Sequence, residues 1–243
     1  MAKFVVIGGT GLIGSKVVAL LTAAGHEAVV AAPSTGVNAV TGEGLAAALA
    51  GAEAVVDVAN APAWGDDEVL AFFTAATTNV LAAERETGVR RHVALSVVGT
   101  ERLLASGYFR GKMKQEELIR AGGVPFTIVR ATQFFEFVPG IADGGTVGDE
   151  TRLPGAGIAP IASADVAAEV VRAALADPVD GIVEVTGPDV FPMDELVRRM
   201  YAQQGDGRTV VRDPEATYFG TRLEDGSLLA GPDAVVGTAR FFA

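Results

Sequence analysis

The stretch KFVVIGGTGLIGSKVVALLTAAG, residues 3–25, opens on an apolar run that ends in glycine. It closes on apolar residues at helical spacing, stopped by Gly25. This order predicts a buried strand, a tight turn and a helix. The turn holds Gly8-x-x-Gly11-x-x-Gly14. Glycine there lets the chain turn sharply and lets a pyrophosphate approach the backbone, where a side chain would block it. The helix start then offers free N–H groups and a positive dipole end to phosphate. Gly8, Thr10, Gly11, Leu12, Ile13 and Gly14 are therefore the candidate residues for holding a dinucleotide.

The pattern continues outward. HEAVVAA (26–32), AEAVVDVAN (52–60), VRRHVALSVVG (89–99) and PFTIVRATQFF (125–135) read as strands. LAAALAG (45–51), DEVLAFFTAATTNVLAAERETG (67–88) and YFRGKMKQEELIRAG (108–122) read as helices between them. Alternation of this kind specifies a parallel sheet covered on both faces, and right-handed crossovers make it doubly wound. The expected fold class is α/β, a Rossmann-type doubly wound parallel sheet with a small C-terminal substrate-binding region. Residues 1–135 form the core, residues 158–188 return to it, and residues 136–157 and 189–243 form the small region. The turn-rich stretch from Asp213 has no secure assignment.

Composition narrows the function classes. The chain of 243 residues carries 19 basic and 30 acidic side chains, a net charge of −11, with no basic stripe. Nucleic-acid binding relies on cations that neutralise phosphates, so it is not expected. No cysteine exists, which excludes disulfides, thiolate metal sites and cysteine nucleophiles. The two histidines, His26 and His92, are not spaced as ligands, so no metal is expected. Arg90, Arg91 and His92 read as a solvated basic cluster. No apolar run reaches the ~18 to 20 residues of a membrane span, and the N-terminus does not read as a signal peptide. A cytoplasmic protein is the expectation, with a small molecule as its partner; the oligomeric state is not legible.

The cofactor's second phosphate is addressed by the end of the second strand, VVAAPSTG (29–36). An NAD-type site expects an acidic residue there to hold the ribose 2′-hydroxyl. None is present, and Ser34, Thr35 and Asn38 offer hydrogen bonds to a 2′-phosphate. NADP(H) is therefore favoured over NAD(H), although no arginine clamps the phosphate.

Taken together, VVIGGTGLIG, VVDVANAP, HVALSVVGT, GYFRGKMKQEELI and FTIVRATQFFEF resemble the NmrA-like group of atypical short-chain dehydrogenases/reductases. The resemblance is strong through residue 135 and looser to about residue 205. It implies a Rossmann-type fold with NADP(H) or NAD(H) as ligand, but no single activity. The group includes quinone- and ketone-type reductases and also proteins that bind the cofactor without catalysis. In active members of the wider family a serine, a tyrosine and a lysine form the active site. Tyr108 and Lys112 match its Tyr-x-x-x-Lys motif, and Ser96 takes the serine position, with Thr100 as a substitute.

The chemistry suits those residue types. Positions four apart share one helix face. A lysine cation beside the phenol favours tyrosinate, so Tyr108 can exchange a proton near neutrality. Ser96 would hydrogen-bond the reacting oxygen, and Lys112 would also hold the nicotinamide ribose. At strand ends, Ala59 and Asn60 are cofactor candidates, as is Thr132 in ATQFF (131–135). Trp64, Gln133 and Phe134 are substrate candidates. Asp165 reads as a helix N-terminal acid. The expected function is an NAD(P)H-dependent reductase of a carbonyl, quinone or enone on a small aromatic or polyketide-like compound. The alternatives are a cofactor-binding redox sensor and an NAD(P)-dependent epimerase or dehydratase.

Overall fold

The computed structural model describes residues 1–242. The first unit is β1 (Lys3–Ile7), α1 (Leu12–Ala23) and β2 (Glu27–Ala31). The chain continues through α2 (Leu45–Leu49), β3 (Ala54–Asp57), α3 (Asp66–Thr87), β4 (Arg91–Val97), α4 (Gly107–Ala121) and β5 (Phe126–Ala131). Strand residues alternate between two cores, as a pleat requires. Phe4 and Val6 pack with Val17 and Leu21 of α1, whereas Val5 and Ile7 pack with Leu45 and Leu49 of α2 and Val80 of α3.

The small region contains α5 (Val138–Gly144), β6 (Thr146–Val147), β7 (Glu150–Leu153) and β8 (Gly157–Ile158). The chain then returns to the main sheet through α6 (Ser163–Leu175) and β9 (Gly181–Thr186). It leaves again through β10 (Phe191–Pro192), α7 (Met193–Gln204) and β11 (Thr209–Arg212), and ends near β12 (Val235–Val236). The main sheet has the order β2-β1-β3-β4-β5-β9-β12, every pair parallel. This is the expected doubly wound fold. Its order reverses between β1 and β3, which is where ligands bind in open α/β sheets.

The loop after β2 forms a short 3₁₀ turn at Pro33–Thr35. One boundary differs from expectation. The C-terminal tail does not stay in the small region: β12 pairs with β9 at the sheet edge. Asp165 fixes that tail by accepting from the Thr238 and Ala239 amides at 2.8 and 3.0 Å.

The small region has its own apolar cluster, which includes Val138, Leu153, Ile158, Leu196, Met200 and Tyr218. It packs over the C-terminal end of β4 and the start of α4 through Val97, Tyr108 and Phe109. Among the described residues, no helix is long and apolar enough to cross a membrane and no acidic or histidine cluster could hold a metal.

Candidate active site

A single cavity of about 1170 Å³ runs from the glycine loop to the small region. Its first half is shaped by backbone. Gly8 has φ +78°, and a Cβ there would lie 2.8 Å from the Ala59 Cα. A Cβ on Gly14 would lie 2.2 Å from the Gly8 carbonyl oxygen. Both positions therefore require glycine, one for turn geometry and one for the close approach of helix and strand. Gly11 caps α1 without a side-chain bond, so the first amides of the helix face the cavity. A cradle closed to side chains and lined by free amides fits a pyrophosphate. Ala59 and Asn60 line the same half beyond β3, held in place because Asp57 accepts from the Ala59 amide at 3.1 Å.

The end of β2 contributes Ala31, Ala32 and Pro33 to the wall, with Asn38 beyond them. Ser34 and Thr35, expected as phosphate donors, do not line the cavity. The Thr35 hydroxyl is folded back on its own turn, accepting from the Ala32 amide at 3.1 Å and donating to the Val30 or Ala32 carbonyl. Asn38 lines the wall, but its side-chain oxygen holds the Val40 and Thr41 amides.

The second half of the cavity is shaped by side chains. Ser96, Tyr108 and Lys112 all line it, as do Trp64, Thr132, Gln133 and Phe134. These candidates therefore meet at one cavity, but their polar atoms are arranged differently from expectation. The Lys112 ammonium donates to the Leu95 carbonyl at 2.7 Å and to the Gln115 side-chain oxygen at 2.5 Å. Gln115 in turn donates to Asp57 at 3.0 Å. Burial pulls the Lys112 pKa down to about 8, with Asp57 and Glu116 opposing that shift.

Tyr108 does not have the depressed pKa expected of a phenol beside a cation. Burial pushes its hydroxyl up to about 12, and Lys112, turned toward Leu95 and Gln115, does not offset it. The phenol thus keeps its proton at neutral pH. Ser96 departs further. Its hydroxyl donates to Glu116 at 2.6 Å, and Glu116 is buried and held by Arg130 at 2.9 and 2.7 Å. The serine proton is therefore committed away from the cavity. Thr100 is no substitute, since its hydroxyl donates to the Val97 carbonyl at 2.6 Å.

Around Tyr108 lies an aromatic cluster that sequence reading had reached only in part. Phe219 stacks on Tyr108 at 5.6 Å between ring centroids and 26° between planes. Trp64 lies 5.9 Å from Tyr108 and 5.7 Å from Phe219, and Tyr218 meets Phe219 edge-on at 4.7 Å. Tyr218 and Phe219 come from the unassigned C-terminal stretch. The buried partners Glu116 and Arg130 were also missed. Their signals were present: Glu116 continues the four-residue spacing from Tyr108 and Lys112, and Arg130 is a charge inside the apolar strand FTIVRA. His92 is not solvated. It is fully buried with its Nδ1 2.6 Å from the equally buried Glu84, which raises its pKa against the cost of burial.

The comparisons agree with this geometry. The model of a family described as NAD(P)H-binding matches residues 8–178. No curated protein matches the sequence. Among solved structures, MoeE5 in complex with UDP-glucuronic acid and NAD is similar at a TM-score of 0.72 and 18% identity, over 93% of this chain and 92% of that one. A UDP-Glc/GlcNAc 4-epimerase from Campylobacter jejuni gives 0.71 and 15%, over 98% and 91%. The NADPH-dependent quinone oxidoreductase QOR2 from Escherichia coli, complexed with NADPH, gives 0.66 and 19%, over 86% and 77%. At these identities the likeness is one of fold. The family match spans more than half of the sequence, and the glycine cradle it covers is built as such a ligand requires: the chain belongs to the NAD(P)H-binding family.

Proposed function

We propose that this protein is an NADPH-dependent reductase of uncharged aromatic carbonyl compounds, quinones, aryl ketones or enones. One observation carries the reading. The substrate half of the cavity is walled by Trp64, Tyr108, Phe134, Phe137, Tyr218 and Phe219, and Lys112 is the one cation lining the cavity among the described residues. Such a wall favours a flat apolar ligand.

The bound nicotinamide would supply hydride to carbon. The chain supplies the rest. Tyr108 holds its proton and faces the cavity, so it is suited to protonate the substrate oxygen. Lys112, fixed through Leu95 and Gln115, lines the cavity and would hold the ribose. Ser96 serves the Glu116–Arg130 pair. NADP(H) is favoured over NAD(H) because no carboxylate lines the wall at the end of β2 to repel a 2′-phosphate.

A second reading has the cofactor regenerated within each turnover, as in an epimerase or dehydratase. The nucleotide-sugar proteins among the similar folds favour it. For a nucleotide sugar it asks for cations against the diphosphate, and among the described residues Lys112 is the one cation lining the cavity.

The test follows NADPH oxidation at 340 nm against quinones and aryl ketones, for wild type and Tyr108→Phe. Turnover that falls by about 10² to 10⁴ in the variant, with NADPH affinity unchanged, is the expected result. Tight NADPH binding without turnover in either protein would overturn it in favour of a sensor or of redox-neutral chemistry. Comparing NADPH with NADH affinity tests the cofactor choice.

A further inference from the structure

Asp57, at the end of β3, and Gln115 and Lys112, on α4, are all buried. A buried carboxylate and a buried ammonium are costly unless each is satisfied. No direct ion pair joins these two among the described residues; the Gln115 amide stands between them. Its oxygen accepts from Lys112 at 2.5 Å and its nitrogen donates to Asp57 at 3.0 Å. Only this turn of the amide serves both neighbours, because an ammonium only donates and a carboxylate only accepts.

Both ends of this chain reach the cavity. Asp57 also accepts from the Ala59 amide at 3.1 Å, and Ala59 lines the cavity where it backs Gly8 of the cradle. Lys112 gives a second N–H to the Leu95 carbonyl at 2.7 Å, and the Phe73 ring lies 4.5 Å from its nitrogen. An ammonium has three donors. One N–H of Lys112 is therefore left without an oxygen acceptor of the protein, on a side chain that lines the cavity. Two carboxylates favour the charged lysine, Asp57 and Glu116, and Glu116 is taken up by Ser96 and Arg130. Asp57 reaches Lys112 through Gln115.

We propose that Gln115 is a positioning residue for the cofactor. It ties Lys112 and the loop at Ala59 to one carboxylate, Asp57, so that the lysine at the nicotinamide ribose and the wall beside the glycine cradle are set as one unit. This rests on the reading above that Lys112 holds the ribose, and it adds the residue through which that lysine is held.

A double-mutant cycle tests it, read by calorimetric titration with NADPH and, in parallel, with NADH. Lys112→Met is expected to weaken binding about 10- to 100-fold, the range of one hydrogen bond to a charged group. Gln115→Met keeps the length of the side chain and removes both bonds. It is expected to weaken binding about tenfold where Lys112 is present, and by less than about twofold in the Lys112→Met background. Gln115→Glu is the conservative rescue. Two carboxyls that share a site retain a proton, and a protonated carboxyl accepts from Lys112 and donates to Asp57 as the amide does. This variant is expected to recover most of the affinity lost in Gln115→Met.

An equal loss from Gln115→Met in both backgrounds would show that the amide acts on the fold and not through Lys112, and would overturn the proposal. So would unchanged affinity in Gln115→Met, or a Gln115→Glu variant that binds no better than Gln115→Met. Unchanged affinity in Lys112→Met would remove the ribose reading, and the proposal with it. No arm needs turnover, so a protein that reduces none of the quinones or ketones leaves the cycle standing.

Discussion

The two halves of the cavity are built from different materials. The half that fits a cofactor is backbone: Gly8 and Gly14 sit where any side chain would strike a main-chain atom, and the first α1 amides have no side-chain cap. The substrate half is side chain: Trp64, Tyr108, Tyr218 and Phe219 meet from three separate segments of the sequence. Backbone geometry leaves a local mark on sequence, because only glycine serves. Side-chain convergence leaves none until the chain is folded. The difference also sets what mutation should do. Damage to the first half should cost cofactor binding, damage to the second should cost substrate binding, and damage to the layer beneath both should cost the fold.

That lower layer gives the largest expected effect. Arg130 is the principal partner of Glu116, which is fully buried and also holds Ser96. Arg130→Met would leave an uncompensated carboxylate with only the Ser96 hydroxyl and the peripheral Arg120, 3.3 Å away. A loss of about 3 to 5 kcal/mol is expected in urea denaturation. The double variant Arg130→Met/Glu116→Met should recover most of it, because an apolar pair replaces a buried ionic one. If the double variant is as unstable as the single, the pair is not the cause.

Lys112 links the layer to the site and carries a pH signature. Its pKa in the fold is about 8, against about 10.5 when exposed. Between those values the unfolded chain binds more protons than the folded one, so this group's contribution to stability rises with pH. Below pH 8 the full penalty of burying the cation is present; above 10.5 none remains. The span is worth about 3 kcal/mol. Lys112→Met should remove that part of the slope when wild type and variant are unfolded side by side from pH 7.5 to 10. An unchanged slope would mean that the ammonium is solvated in the folded protein.

The cofactor half should answer differently. Gly14→Ala places a Cβ 2.2 Å from the Gly8 oxygen and 2.7 Å from the Gly9 Cα, both main-chain atoms that cannot rotate away. A cost of roughly 1 to 3 kcal/mol is expected from overpacking. NADPH affinity should fall by at least about tenfold as the cradle is pushed open. Aromatic ligand binding to the cofactor-free protein, read from Trp64, should not change. A parallel loss at both ends would break the division between the halves.

The same division explains what was legible. The alternation of strands and helices carried the parallel sheet, and the glycines carried the phosphate cradle, because both are local requirements. The positions of Ser96, Tyr108 and Lys112 were also legible, as their spacing along β4 and α4 brings them to the cavity. Their atoms were not. Whether Ser96 points its proton at a substrate or at Glu116 depends on Arg130, which arrives from the next strand. Thr35 read as a phosphate donor by type, but its hydroxyl serves its own turn. His92 read as solvated beside two arginines, yet one residue into β4 the pleat turns it inward onto Glu84. Tyr218 and Phe219 lacked any usual signal, because the tight hairpin they form is marked in most chains by Asn-Gly or Asp-Gly.

That hairpin offers the smallest and sharpest test of the comparison. Tyr218 and Thr221 exchange backbone bonds of 2.7 and 3.1 Å, and both residues between them have positive φ, Phe219 at 46° and Gly220 at 77°. A side-chain-bearing residue in that conformation costs roughly 1 to 2 kcal/mol. Phe219 holds it because its ring packs on Tyr108, Trp64 and Tyr218, each pair worth roughly 0.5 to 1.5 kcal/mol. The three pairs together, roughly 1.5 to 4.5 kcal/mol, outweigh the strain. Phe219→Asn would install the pair the turn prefers and remove the stack, so thermal stability should fall by about 1 kcal/mol. Function should change more. The ring that covers Tyr108 would be gone, and affinity for a flat aromatic ligand should fall by about tenfold, while NADPH affinity stays as it was. A Phe219 variant that keeps its aromatic affinity would show that the ring serves the turn alone, and the substrate half would lose the wall that sets it apart from the glycine cradle.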